Sequence, residues 1–428
     1  MSRLERFTSG AWRWFWCLLP LILAMGALFL YRGTGRYSPP DFGGPEPIEN
    51  HRAALEILDH GTTDMTFHAT GYAYLVALVY AVAPHLPLSM LIVQCLLLPL
   101  IVLAISRIAR GLGGEDAGRW GLIVGGLYYP FAYYAMTFST IVPASLASTG
   151  LVAVALPLLE RTSWKRSLAV GLLLGVAACC RPNLAFLGVV LAASVLAASR
   201  SLVATLVRTA PVAAVSLGML TAMAVANPPE PGQFTRGSQG MNRSLLDATY
   251  QFEDRWFDWE RVGDPQANAK ANEHWARLEA ESGKPMTDPA TQLLARRDAF
   301  ARMKANPMGV VKKGLISSVR IWILMPSDSQ YTVLKFGIAL SELAFLLVAL
   351  FGMRASRRAG LPWYFGAGVM LVPTLSHLIL HVEPRYSLPG RGAEAAFLAI
   401  GLAALLAWQS AKAQAPLAAP AAPKADAA

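Results

Sequence analysis

Four short stretches carry side chains whose types and spacing suit chemistry at a membrane surface. The first is PPDFGGPEPIENHRAALEILDHG, which offers three acids, Asp41, Glu46 and Glu49, and has helical periodicity in its second half, from Ile48 to Asp59. A carboxylate pressed against a membrane face can take a proton from an acceptor hydroxyl. The second is TFHATGYAYLVALVYAVAP, where His68 stands before an apolar segment at headgroup depth and suits a lipid phosphate. The third is GVAACCRPNLAF, in which Arg181 interrupts an apolar stretch and Pro182 supplies the break. Its planar guanidinium suits bidentate phosphate recognition. The fourth is HVEPRYSLP, where His381, Glu383, Arg385 and Tyr386 crowd one turn, with His377 a turn earlier. Each has a plainer reading: solvated acids, a boundary histidine, an arginine reaching for the interface, an internal Glu383–Arg385 ion pair. No Walker loop, HExxH, GxSxG or GxGxxG is present, so nucleotide chemistry has no support.

The elements that must hold these residues are membrane helices. Of 428 residues, 54% are hydrophobic and 15% charged, against about 25% charged in an average soluble domain. Charge this sparse cannot cover a soluble surface. The apolar residues come in runs of about 20, long enough to cross a bilayer as helices and unlike the ~10-residue alternating strands of a barrel. The spans expected are 11–31, 87–106, 119–136, 140–159, 167–180, 183–199, 206–226, 331–353, 361–381 and 387–408, ten in all. The first has a basic start and no small-x-small cleavage site, so it reads as an uncleaved anchor. Residues 71–84 are apolar but short, and are expected to lie along the interface. Cys17, Cys95, Cys179 and Cys180 sit inside apolar runs with no metal spacing and read as small hydrophobes.

Charge sets the orientation. With ten spans and the N-terminus inside, the short loops on the inner side carry sixteen Lys or Arg against five acids, which absorbs most of the net charge of +10. The basic residues form no aromatic-interleaved patch, so nucleic acid is not an expected partner. Two large segments then face outward. Residues 32–86 form the first outer loop, within a membrane domain 1–226, and residues 227–329 form a mixed-charge outer region. The latter holds polar helical stretches near 265–283 and 289–305, followed by an amphipathic stretch at 308–324. Residues 330–409 supply the last spans and 410–428 a disordered Ala/Pro tail. The expected fold class is an all-α polytopic membrane protein of about ten spans, with interfacial helices in the first outer loop.

All four chemical stretches then face outward, cationic groups beside carboxylates. That layout suits a reaction on an anionic lipid carrier. The chain resembles the GT-C superfamily of membrane glycosyltransferases, in particular family 39-like bacterial members such as protein O-mannosyltransferases and the aminoarabinose lipid A transferase. The family pattern has an acid eight residues before the Ala of Y-x-x-x-A-x-x-L-x-x-G. Here ALEILDHG (54–61) is similar, with one extra residue, and counting back eight from Ala54 reaches Glu46. Residues 69–80 resemble its P-P-G-Y-P-L-L-x-A-L-x-Y, with Ala69 and Thr70 in place of the prolines. GLLLGVAACCRPNLAF, ANPMGVVKKGLISSVRIW and HVEPRYSLP resemble three later motifs in the right order. The family's acid before Pro at the outer end of the fourth span is absent: FSTIVP (138–143) stands there.

The resemblance implies an inverting, metal-independent transfer from a polyprenyl-phosphate sugar to a glycan, lipid or protein acceptor, with no cofactor. It makes Glu46 the general base, with Glu49 and Asp41 as alternatives. His68, Arg181 and Arg385 would hold the carrier phosphate, and His381, Glu383 and Tyr386 would support them or touch the acceptor. It also implies a plasma (inner) membrane location with both termini cytoplasmic. A transporter or flippase is the competing class, and would show paired half-chains and mid-membrane charges. A non-catalytic scaffold lacking the second acid is a third reading.

Overall fold

The computed structural model describes residues 3–31, 45–65, 68–228, 239–251, 265–323 and 332–414. Asp41 and the tail from 415 lie outside the described residues. Long apolar segments fold as helices because hydrocarbon offers no partner for backbone N–H and C=O groups, and no strand occurs among the described residues. Helix α1 (Arg3–Phe7) leads into α2 (Gly10–Tyr31) through Gly10 at φ 54. Two short helices follow, α3 (Pro45–His60) and α4 (Gly71–Tyr80), then α5 (Pro87–Leu127) and α6 (Tyr129–Ala135). Next come α7 (Ile141–Ala155), α8 (Trp164–Cys180), α9 (Phe186–Ser199) and α10 (Leu202–Ala226). A polar region holds α11 (Gln239–Ala248), α12 (Pro265–Ser282), α13 (Pro289–Ala305) and α14 (Pro307–Arg320). The chain returns to apolar helices with α15 (Thr332–Arg358), α16 (Trp363–Ser376) and α17 (Leu388–Gln414).

Among the described residues, seven helical segments are long and apolar enough to cross a membrane. One of them, α5, is 41 residues long and folds back at Gly114, whose φ of 85 suits glycine. Its two arms hold the expected span 87–106 and the first part of that expected over 119–136, packed side by side, with Ser106 Oγ donating to the Gly118 carbonyl at 2.7 Å. The other two expected spans fall on shorter helices, α8 of 17 residues and α16 of 14. The span expected over 119–136 stops at Leu127 because Pro130 starts a separate helix. The span expected over 361–381 stops at Ser376, and Lys313 holds the carbonyls of His377 and Leu378 just past its end. The polar and amphipathic stretches expected near 265–283, 289–305 and 308–324 are α12, α13 and α14.

Helix α4, the short apolar segment expected at 71–84, packs one side against α3 and α5 and leaves Leu78 exposed. Tyr72, Ala73, Val76, Ala77 and Tyr80 are buried among Ala53, Ala54, Met90 and Leu91 of α3 and α5. Gly71 makes this approach possible, since a Cβ there would overlap the backbone of Cys179 at the end of α8. That contact sets α4 next to Arg181. The main core lies where α5, α7, α16 and α17 meet, around Ile101, Ile105, Leu151, Phe365 and Phe397.

Candidate active site

The site residues come from three segments that meet: the start of α3, the end of α8 and the turn before α17. Glu46 sits in the first turn of α3, where Asn50 donates to its carbonyl at 2.8 Å. Helix α3 is tied to α4 through His51 Nδ1 and the Tyr80 hydroxyl, 2.8 Å apart. The turn after it is tied to the end of α10, where Asn227 Oδ1 accepts from the Thr63 N–H at 3.1 Å. Arg181 caps α8 in extended backbone conformation, as Pro182 requires, and a 3-10 turn Pro182–Ala185 follows. Glu383 precedes a second 3-10 turn, Pro384–Ser387, which carries Arg385 and Tyr386.

These residues touch. Arg385 lies 3.6 Å from Glu46 Oε2 and 2.5 Å from Glu383 Oε2. His381 Nε2 reaches the other Glu383 oxygen at 3.2 Å. Tyr386 forms the floor: the guanidinium groups of Arg181 and Arg385 lie 5.3 and 5.4 Å from its ring centroid, and the His377 ring stacks on it at 4.8 Å. Burial pushes the Glu383 carboxyl up, but the His381 hydrogen bond and the charges of Arg385 and Arg181 outweigh it and hold it below the usual carboxylate range. Glu49 lies one helical turn from Glu46 and pairs with His68 through Oε2 and Nδ1. The sequence groups His68 with the two arginines. The geometry gives His68 an acid partner and puts Arg181 and Arg385 together on Tyr386.

Three contributors escaped the sequence reading. Arg181 Nε donates to Thr140 Oγ1 at 3.1 Å, so a neutral threonine holds this arginine in the segment where the family pattern has an acid. Thr140 is placed by Gln94, whose side chain donates to the Ala135 and Thr137 carbonyls at 3.2 and 2.9 Å and accepts from Tyr72 at 3.1 Å. A glutamine in an apolar helix was a visible signal for Gln94, while Thr140 had none. Lys313 is buried and donates to the carbonyls of His377 and Leu378 at 2.7 and 3.2 Å, and to that of Leu380. Burial lowers its pKa to about 7. Among the described residues, no three His, Cys, Asp or Glu side chains form a group able to hold a metal ion.

No protein-family model and no curated protein matches the sequence. Solved structures do match the fold. The oligosaccharyltransferase of Archaeoglobus fulgidus in its apo form is similar at TM-score 0.57 and 11% identity, over 98% of this chain and 53% of that one. The same archaeal enzyme in complex with an inhibitory peptide and a dolichol-phosphate is similar at TM-score 0.50 and 11% identity, over 96% and 53%. The chain thus spans about half the length of the solved structures it matches. What is shared is the fold, that of an all-α, multi-span membrane protein.

Proposed function

We propose that this chain is a membrane glycosyltransferase that moves a sugar from a polyprenyl-phosphate carrier to an acceptor hydroxyl, with inversion, in the manner of family 39-like enzymes. The observation that carries the reading is the convergence of Glu46, Arg181, Glu383 and Arg385 around Tyr386 from three separate segments, the start of α3, the end of α8 and the turn 383–387. A dolichol-phosphate in the matching archaeal enzyme supports a lipid-phosphate carrier for this fold. The acceptor oxygen attacks the anomeric carbon and gives its proton to Glu46 Oε2. The bond to the carrier phosphate breaks, and its electron pair stays on the phosphate. Arg181 and Arg385 meet that growing charge, so they stabilise the transition state more than the ground state. Glu383 and His381 aim Arg385, Thr140 aims Arg181, and His68 orients Glu49 beside the base.

Inversion needs the attacking oxygen and the leaving phosphate on opposite faces of the sugar, with reacting atoms starting about 3–3.5 Å apart. Glu46 and Arg385 are in direct contact at rest, so the sugar must part them. Donor binding exchanges one partner of Arg385, a carboxylate, for another, a phosphate. The site then faces the outer side of a plasma membrane, with the N- and C-terminal helices ending in the cytoplasm.

Turnover of a polyprenyl-phosphate sugar by purified protein tests the reading. Glu46→Gln lowers it by roughly 10²–10⁴-fold, the range for losing a general base. Full activity in Glu46→Gln with a dead Glu49→Gln or Asp41→Asn moves the base to that acid, and no turnover by wild type with any such donor removes the reading. For orientation, a cysteine at Gly240 reacts with an impermeant reagent from outside and one at Gly114 does not.

A further inference from the structure

Helix α14 has inverted polarity. The side chains it buries are Lys313, Ser317 and Arg320, and the large hydrophobics it exposes are Met308, Val311, Leu315 and Val319. Each set recurs at three- and four-residue spacing, so the two occupy opposite faces of one helix. Met308 and Leu315 are 73% and 62% exposed. A helix packed on a protein in water turns the other way, with its apolar face inward. The polar face of α14 is tied to the protein. Lys313 donates to the carbonyls of His377, Leu378 and Leu380, just past the end of α16. Backbone that has left a helix is tolerated at membrane depth only where protein or water satisfies it, and Lys313 does so here.

The C-terminal end of α14 is fixed inside the bundle. Ile321 and Trp322, just past it, are buried in the main core. The Trp322 indole donates to Thr374 Oγ1 of α16 at 2.9 Å, and its carbonyl accepts from Arg391 of α17 at 2.6 Å. Beside α14, α16 exposes Leu371 and Leu375 at four-residue spacing, and Ile379 continues that row past its end. Gly314 of α14 faces the Leu378 carbonyl, with room for a Cβ at 3.7 Å. The polar helices hold the same stretch, since the His381 N–H donates to the Ser244 carbonyl of α11 at 2.9 Å. We propose that α14 lies in the bilayer, with Met308, Val311, Leu315 and Val319 against acyl chains, and extends the lipid-facing surface of α16 up to the polar helices. From Met308 to Val319 the stripe is ~16 Å long at ~1.5 Å per residue, about half of a ~30 Å hydrocarbon core, so one leaflet accommodates it. No acid occurs in α14, so none has to leave water. The placement holds whether or not the chain transfers sugar. It sets the depth of the candidate site, because the stretch leading to His381, Glu383 and Arg385 starts against a lipid-facing helix.

The test uses full-length protein, one copy per phosphatidylcholine nanodisc, with a nitroxide on a cysteine placed at Val311 or at Leu315. Collisions with oxygen, which concentrates in acyl chains, are compared with those of a neutral nickel chelate, which stays in water. Leu340→Cys on α15 gives the lipid reference and Lys304→Cys on α13 the water reference, both positions being exposed. Wild type is the blank, since its four cysteines are buried or half-buried. The oxygen-to-nickel ratio at Val311→Cys and Leu315→Cys should match that at Leu340→Cys and exceed that at Lys304→Cys by about tenfold, as for a move from water into hydrocarbon. Either site suffices if the other variant does not fold. A ratio at the Lys304→Cys level puts α14 in water and overturns the proposal. Low access to both reagents overturns it too, because another segment of the chain then covers the stripe. Discs holding two copies test the remaining occupant. Strong spin–spin broadening at Leu315→Cys there makes the stripe a contact between copies and overturns the lipid assignment, and an unbroadened spectrum supports it.

Discussion

Two arginines six positions apart, Arg385 and Arg391, each face two carboxylates, and their surroundings give them opposite uses. Arg385 meets Glu46 and Glu383 with 35% of its side chain still exposed. Arg391 meets Glu342 and Glu394 with all three side chains at 0% exposure. Every polar arm of Arg391 is taken by the fold. It donates to Ser387 Oγ at 2.8 Å, the Tyr128 hydroxyl at 3.1 Å and the Trp322 carbonyl at 2.6 Å, and Tyr128 in turn donates to Glu394 at 2.8 Å. This cluster joins α5, α15 and α17 to the end of α14, deep in apolar surroundings where an unpaired charge is costly. Arg385 is solvated enough to trade a carboxylate for a phosphate, and Arg391 has no such exchange available. Paired charge alone therefore does not mark a reactive site. Paired charge with room for a substitute partner does.

The largest expected effect tests the buried member. Arg391→Ala leaves two carboxyl groups unpaired and destabilises the fold by about 3–5 kcal/mol, read as the unfolding midpoint in detergent. Changing Glu342, Arg391 and Glu394 together to apolar residues of similar volume restores most of that loss. A stable but inactive Arg391→Ala protein would reverse the comparison. Next, Arg385→Ala and Arg181→Ala each lower kcat/KM by at least ~10²-fold, about 2.7 kcal/mol of transition-state stabilisation, with an unfolding midpoint near wild type. Arg181→Lys keeps the charge, loses the fork and falls between wild type and Ala. An unchanged rate in both alanine variants removes the phosphate role. Thr140→Val is smaller, about tenfold in kcat with KM nearly constant, because it only lets Arg181 turn. The smallest effect is on pH. Glu383 titrates lower folded than unfolded, so its contribution to stability is present above the ordinary carboxylate pKa and fades as pH falls through the lowered value. The acid limb of the stability curve should flatten in Glu383→Gln, and an identical limb in both proteins would contradict the Glu383 pairing.

Much of this arrangement was legible before any coordinates, for a physical reason. Twenty-residue apolar runs have few folding options in lipid, so the helices of the bundle followed from hydropathy alone. Arg181, Glu383 and Arg385 stood out because charge beside an apolar run is costly, and Glu46 through the family resemblance alone. The same rule pointed at Glu342, Arg391 and Glu394, inside the expected spans 331–353 and 387–408, where the reading dwelt on helix ends and passed over helix interiors. Thr140 was illegible, since a threonine near a helix end is ordinary. The burial of α4 was illegible too, because a helix apolar on all sides does not say whether lipid, headgroups or other helices surround it. Pairing His68 with Glu49, and not with the arginines, depends on how α3 packs, which no local pattern encodes.

The contact between Glu46 and Arg385 also constrains when this protein works. It joins a residue near the start of the chain to one near its last long helix, and contacts of such separation close late in folding. The α5 hairpin, by contrast, can pair as soon as its second arm leaves the ribosome. A growing chain thus has most of its helices packed while its proposed catalytic acid still lacks its arginine. On the proposed mechanism, nascent or prematurely ended products would be silent, and activity would switch on once, when the segment carrying Arg385 docks.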